Sequence, residues 1–145
     1  MSTDDLHRGV EARLAAAEQQ YTANRRAIVD ALAHGGAPMT LPDLLAADPS
    51  LAQSSAYRSL AVLVDAGVVH RLVHGADHAH YEIAEHLTEH HHHLVCDDCG
   101  SVVDVTLPAR VETAMDRSFV DAAERLGFTP SRHAIDIYGV CADCR

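Results

Sequence analysis

HHHHLVCDDCG, residues 90–100, and RHAIDIYGVCADC, residues 132–144, carry the reading of this chain. Each contains one CxxC pair, Cys96/Cys99 and Cys141/Cys144. A CxxC turn aims two thiolates at one centre, and two such turns complete a tetrahedron about 2.3 Å in radius around zinc. The 41 residues between the pairs, 100–140, form a loop that a bound metal closes, tying the end of the chain to the first Cys turn. These are all four cysteines of the chain, and no charged-then-apolar leader opens it, so metal is favoured over disulfides. A pair of redox dithiols is the blander alternative, but the βαβ pattern that accompanies such motifs is missing.

Directly before the first pair stand His90, His91, His92 and His93, four of the 12 histidines. The run is internal and flanked by ordinary sequence, unlike a purification tag. In an extended strand side chains alternate with period two. His91 and His93 then face one side and His90 and His92 the other, so one strand can serve two metal sites, each completed from elsewhere. Imidazole accepts zinc, iron, nickel and copper alike, and residue type does not name the metal. The isolated His7, His74 and His78 read as solvated surface residues.

Outward from the first Cys turn, HHHHLVC and SVVDVTL read as two strands. Pro108 opens a helix over about 109–126, Gly127 ends it, and SRHAIDIYGVC is a last strand. Composition changes near 84–90, which divides the chain into 1–85 and 86–145. In the first part, helical spacing covers 6–19, and Thr22 caps a helix that runs to Gly35 and Gly36. A short helix follows at 41–47, with Thr40 before it and Pro42 in its first turn, then a longer one from Ser50 to Ala66, stopped by Gly67. VVHRLVHG and HAHYEIA form two strands joined by a turn around Gly75–Asp77. Helices followed by a hairpin give the order of a winged helix-turn-helix, and the expected class is α+β.

With 145 residues and 48% hydrophobic content, the chain can build one ordinary domain or two small ones. Aromatics are only 4% and Trp is absent, so Leu, Val, Ile and Ala must make the core. No run of 18 apolar residues occurs, and the expectation is a soluble, cytoplasmic protein without a membrane partner. The net charge of −10 speaks against a protein that coats nucleic acid, though not against a regulator with a few Arg on one face.

These pieces together resemble the ferric-uptake-regulator (Fur) family of bacterial metal-dependent repressors, over about residues 20–145. The carriers are YTANRRAIVDAL (21–32), SSAYRSLAVLVDAGVV (54–69) and the two Cys segments. The resemblance implies a winged-helix DNA-binding domain over 1–85 and a small α/β dimerisation and metal-binding domain over 86–145. It implies that Cys96, Cys99, Cys141 and Cys144 hold a structural zinc ion. AYR at 56–58 is similar to the family's TVYR, making Tyr57 and Arg58 DNA contacts, with Gln53, Ser54 and Ser55 beside them and Arg25 or Arg26 on phosphate. Glu82, His91, His93 and Asp104 map to the regulatory site, and His90, His92, Glu112 and His133 to a further one. Two departures stand out. Where many members place a His between the second and third helices, this chain reads GGAPMT (35–40). His70 sits where zinc-responsive relatives carry an Asp ligand and can replace the missing donor, whereas the Cys those relatives carry before the His run is absent from Ala84, Glu85 and His86. The implied function is a homodimeric repressor that binds double-stranded operator DNA when loaded with a regulatory divalent metal, zinc ahead of iron, manganese or nickel, with neither catalysis nor a small-molecule substrate.

Two rivals come from other classes. His80-Tyr81-Glu82 followed by Cys96 and Cys99 superficially matches the H-x-E…P-C-x-x-C signature of zinc deaminases. Val95 replaces the required Pro, 13 residues alone separate Glu82 from Cys96, and the second CxxC has no task. A metal buffer or chaperone needs only the His and Cys content, and leaves the helix-turn-helix half unexplained.

Overall fold

The computed structural model describes residues 2–74 and 79–145, so the turn expected around Gly75–Asp77, and His78, lie outside the described residues. Helix α1 (Thr3–Ala16) starts earlier than the apolar spacing suggests because Ser2 and Asp5 form a capping box. It ends before Glu18, which adopts a φ of 56°. Its inward face carries Leu6, Val10 and Leu14, spaced by four. Helix α2 (Ala23–His34) begins at Thr22, whose hydroxyl accepts from the Arg25 amide, and buries Ile28, Val29 and Leu32. His7 joins these two helices and is not a surface residue: Nδ1 lies 2.6 Å from the Tyr21 hydroxyl and Nε2 lies 2.8 Å from Asp30 Oδ1. Its place beside Leu6 on the buried stripe of α1 overrides the default for an isolated His.

Strand β1 (Met39–Thr40) leads into helix α3 (Leu41–Ala47), opened by a Thr40/Asp43 capping box with Pro42 in the first turn. Helix α4 (Gln53–Asp65) starts three residues later than expected. Asp48 Oδ1 accepts hydrogen bonds from both the amide and the hydroxyl of Ser50, holding that segment in a turn. Gly67, at φ +72°, ends α4 and releases the chain into β2 (Val69–Leu72) and β3 (His80–Ile83). The expected two-stranded hairpin is in fact a three-stranded antiparallel sheet of order β1-β3-β2. Two residues are too few to show an alternation, which is why β1 escapes sequence reading. The core packs Leu14, Ile28, Val29, Leu44, Leu60, Leu63 and Val68, and also takes in Leu87 from a 3-10 turn at Glu85–Leu87.

The second unit is a sheet of order β5-β4-β6, from β4 (His92–Cys96), β5 (Val102–Val105) and β6 (Asp136–Gly139). β4 pairs antiparallel with β5 and parallel with β6. A parallel pairing needs a long crossover, and helix α5 (Ala109–Glu124) lies within it. The last strand is shorter than SRHAIDIYGVC because only its centre joins the ladder. The architecture is the α+β arrangement expected, a helical first half with a small sheet and then a second sheet. The halves differ in solidity: α5 buries none of its residues, and the hydrophobic residues fully buried beyond Leu87 are Val95, Cys96 and Val102 alone.

Leu60 is 1% exposed at the centre of the first core. Leu60→Ala should lower unfolding free energy by about 2–5 kcal/mol, as large-to-small core changes do. Denaturant titration of the first half, followed by helical circular dichroism, measures it.

Candidate metal centres

The four thiols lie together at one end of the second sheet. The first CxxC turn closes with the Gly100 amide donating to the Cys96 carbonyl at 2.9 Å, and Gly100 takes a φ of +72° that a side chain would disfavour. The end of β6 is fastened beside it, with the Asp97 amide 2.8 Å from the Gly139 carbonyl and the Cys141 amide 3.3 Å from Cys96 Sγ. Cys99 Sγ and Cys141 Sγ are 3.8 Å apart. A tetrahedron with metal–sulfur bonds of about 2.3 Å has an edge of about 3.8 Å. Amides of Cys99 and Cys141 hold the Cys96 thiol down to about 6, while the thiols of Cys141 and Cys99 push Cys144 up to about 12. Four sulfurs this close cannot all ionise unless a cation shares their charge. The chemistry and spacing of the donors therefore fit a tetrahedral thiophilic ion.

Strand β4 proper begins at His92, yet residues 90–93 alternate. The His91 and His93 rings face one side, 5.1 Å apart between centroids, and those of His90 and His92 the other, 4.7 Å apart. On the first side, Glu82 Oε2 from β3 lies 2.9 Å from Nε2 of both His91 and His93. Asp104 Oδ1, brought by the β4–β5 register opposite His93, lies 3.8 and 3.9 Å from the same two nitrogens. One donor atom from each residue falls within 4.8 Å of the others. Burial works to raise the Glu82 carboxyl, but hydrogen bonds from His93 and His91 prevail and take it to about 2. The bond to Glu82 in turn lifts His93 to about 9, against the opposing effect of burial. Protons on the imidazoles thus stand where a cation's charge would. His70, opposite Glu82 in the β2–β3 ladder, reaches Glu82 Oε1 at 3.4 Å but is half exposed and stands outside this quartet.

On the other side, His90 Nε2 and His133 Nε2 are 3.2 Å apart and each lies 3.3 Å from Glu112 Oε2. His92 Nε2 lies 2.8 Å from Glu112 Oε1. Glu112 Oε2 is buried without a hydrogen-bond partner among the described residues, which a cation at this point would satisfy. Burial raises the Glu112 carboxyl, and the hydrogen bond from His92 with the charges of His92, His90 and His133 more than offsets it.

Sequence reading missed the residues that aim these rings. Nδ1 of His93 lies 3.1 Å from Asp136 Oδ1, that of His91 3.0 Å from the Glu89 carbonyl, and that of His133 2.9 Å from Asp116 Oδ1. Glu85 bonds His90 Nδ1 in the same way. Anchoring one ring nitrogen leaves the other to face the shared centre, the usual arrangement around ligating imidazoles. No spacing signal could have found Asp136, because its place depends on the parallel β4–β6 register. His74 is likewise no solvated residue: its side chain is 9% exposed, and Nδ1 is 3.1 Å from the Tyr138 hydroxyl. The deaminase pattern dissolves here, since Glu82 and the four cysteines belong to separate clusters.

On α4, Gln53, Ser54, Tyr57 and Arg58 share one exposed face and, with Leu41, line an open cavity of about 820 Å³. Tyr57 is 62% exposed, its ring free to meet a partner. Ser55 is half-buried and is not part of this face. Arg25 turns its guanidinium onto the Gln20 carbonyl, and Arg26 lies over the Tyr21 ring, 4.7 Å from its centroid.

The profile of the ferric uptake regulator family matches residues 16–138. The chain is 30% identical over 129 residues to the peroxide operon regulator of Bacillus subtilis (strain 168), covering 86% of this chain and 83% of that one. Its fold superposes on the ferric uptake regulator Fur of Helicobacter pylori with a TM-score of 0.74 at 19% identity, over 99% of this chain and 94% of the other. A zinc-bound manganese uptake regulator matches with a TM-score of 0.63 at 25% identity, over 91% and 98% of the two chains. With its winged-helix half, its Cys quartet and this match over most of its length, the chain belongs to the ferric uptake regulator family and is a metal-responsive transcription regulator, not an enzyme.

Proposed function

We propose that this chain is a repressor that grips operator DNA as a metal-loaded homodimer, with residues 1–85 reading DNA and 86–145 dimerising and binding metal. One observation carries the reading: Glu82 stands on the sheet of the first unit, whereas His91, His93 and Asp104 stand on the second. A divalent ion held by all four supplies charge that cross-links the two units and so restricts the angle between them. In a two-fold dimer that angle governs the spacing of two recognition helices against successive major grooves. The exposed face of α4 suits the groove, with Tyr57 against a thymine methyl and Arg58 on a guanine edge or phosphate. Gln53 and Ser54 stand beside them, Ser55 and Arg25 being less available.

The homodimer is supported by what the second unit leaves uncovered. Leu94 at 41%, Val103 at 51%, Phe119 at 40%, Phe128 at 69% and Ile137 at 45% exposure lie on the second sheet or in the crossover. So much apolar surface on a unit with so small a core suits a two-fold interface with a second copy. The Cys96/Cys99/Cys141/Cys144 quartet holds structural Zn2+ in this reading, and the His90/His92/Glu112/His133 quartet is a secondary site.

Two imidazoles and two carboxylates without a thiolate suit Fe2+ and Mn2+ as well as Zn2+ at the regulatory site. The inclination toward zinc leaned on His70, which stands outside the quartet. A second reading, a regulator that responds to peroxide, is favoured by the likeness to the peroxide operon regulator.

Cys96→Ser or Cys144→Ser should abolish tight zinc binding and dimer assembly together. Elemental analysis with sedimentation measures both, and a dimeric variant with full zinc content would refute the assignment. For DNA reading, Tyr57→Ala and Arg58→Ala should each weaken binding to a duplex selected from a random library by about 1–3 kcal/mol at fixed salt, with unchanged metal content. Undiminished affinity would displace the recognition helix from α4. For the switch, His91→Ala with His93→Ala should leave a folded, zinc-containing dimer that gains no DNA affinity from added Zn2+, Fe2+ or Mn2+. His90→Ala with His92→Ala should lose less. His93 is held protonated up to about 9 without metal, so metal entry expels a proton. Apparent metal affinity should therefore rise between pH 6 and 9, by up to about tenfold per unit for one proton. Titrations of the selected duplex against each metal, repeated after hydrogen peroxide on the Fe2+ and Mn2+ forms, test the switch and separate the two readings. A normal metal response in the His91/His93 variant would sink the regulatory site.

A further inference from the structure

At the seam between the two units lies a contact made by residues outside all three quartets. His74, two residues beyond β2, is nine-tenths buried, with Nδ1 3.1 Å from the Tyr138 hydroxyl and 3.9 Å from Asp136 Oδ2. The two rings meet edge-on at 5.9 Å. The other oxygen of the same carboxylate, Asp136 Oδ1, lies 3.1 Å from His93 Nδ1. Asp136 and Tyr138 are two apart on β6 and so share a face, and the parallel register sets Asp136 beside His93. Strand β6 therefore reaches the Glu82/His91/His93/Asp104 centre through Asp136 and the end of β2 through Tyr138.

His74 Nε2 is buried without a hydrogen-bond partner among the described residues. A bare ring lone pair there costs less than a buried N–H with nothing to accept it. Assigning the proton to Nδ1 thus satisfies the site best, and makes His74 a donor to the Tyr138 hydroxyl, with Asp136 Oδ2 next to it at 3.9 Å. In His93 the corresponding constraint comes from the other side. An ion on Nε2 leaves the proton on Nδ1, and the ring then donates to Asp136 in a fixed orientation. Without the ion the ring keeps this orientation through hydrogen bonds to Glu82 and Asp136 alone, so coordination stiffens a contact already in place.

We propose that His74 is a positioning residue which, through Asp136 and Tyr138, ties the end of β2 to the state of His93 and forms a second joint between the units beside Glu82. The inference rests on the reading of Glu82, His91, His93 and Asp104 as the regulatory metal site. With two joints, β2 as well as β3 is held when metal binds, so the sheet is fixed in rotation as well as in distance. Each joint alone leaves a hinge.

The test uses the full-length, zinc-containing protein with Co2+ as the added ion. Its visible absorption reports occupancy, and hydrogen exchange of residues 68–74 reports the joint. Wild-type exchange in this segment should slow by about tenfold on Co2+ addition, within the usual range of coupling between sites. His74→Phe should keep the Co2+ spectrum and lose the slowing, and His74→Asn, which offers a polar atom near the Nδ1 position, should restore it. A merely structural role would shift exchange equally with and without Co2+ and leave their ratio intact. Tyr138→Phe removes one hydroxyl from a half-exposed ring and should reduce the ratio even where His74→Phe fails to fold. Wild-type ratios in the His74→Phe or Tyr138→Phe proteins, or wild-type Co2+ binding without slower exchange, overturn the inference alone. Absence of Co2+ binding beyond that of the His91→Ala/His93→Ala protein overturns the regulatory-site reading and this inference with it.

Discussion

One carboxylate of the first half meets two histidines of the second: Glu82 Oε2, 2.9 Å from Nε2 of both His91 and His93. Its strand belongs to one sheet and both histidines lie in or beside another. Without metal the link is an ionic hydrogen bond, and its strength follows the two groups' titration. Glu82, lowered from 4.5 to about 2, contributes fully above 4.5 and loses its contribution as pH falls toward 2. His93, raised from 6.5 to about 9, contributes fully below 6.5 and loses its contribution as pH rises through 9. The proton-held link is therefore complete between about 4.5 and 6.5 and fades on either side. As pH rises toward 9 a divalent ion finds fewer protons to displace, so metal replaces the proton as the charge that holds the halves together.

The unequal solidity of the halves follows the same logic. The first has a core of aliphatic side chains from four helices and a sheet, and folds around burial of apolar surface. The second has a three-stranded sheet and a helix with no buried residue. Small units of that kind need added constraints, and here the donors for three centres crowd around one strand. His92, His93 and Cys96 are fully buried on β4, where an ordinary strand would carry Val or Ile. Metal coordination and a second copy thus stand in for much of the missing core.

Much was legible in local sequence because it depends on local rules. Thr22, Thr40 and Gly67 mark helix ends through caps and a left-handed residue, and each lies where those rules put it. The CxxC turns and the His alternation depend on spacings of three and two residues. The misreadings came where a distant partner prevailed. His7 and His74 look like surface residues by composition and are buried by their contacts with Tyr21, Asp30 and Tyr138. β1 exists because β3 offers an edge, not because Met39 and Thr40 favour a strand.

The sequence by itself determined which side chains can hold metal, that they fall into a thiolate set and two alternating imidazole sets, and that a helical half precedes a sheet half. Residue spacing did not supply the carboxylates, which came from the family resemblance, and only the tertiary structure decided their geometry and which groups aim the rings. Glu82, Asp104 and Glu112 reach the His run across strand pairings and a crossover, and Asp136 reaches His93 through a parallel register. The physical reason is range: caps, turns and alternation act over a few bonds of one chain. Coordination geometry instead depends on atoms far apart in sequence being held within a few ångströms, which packing and strand register alone can do.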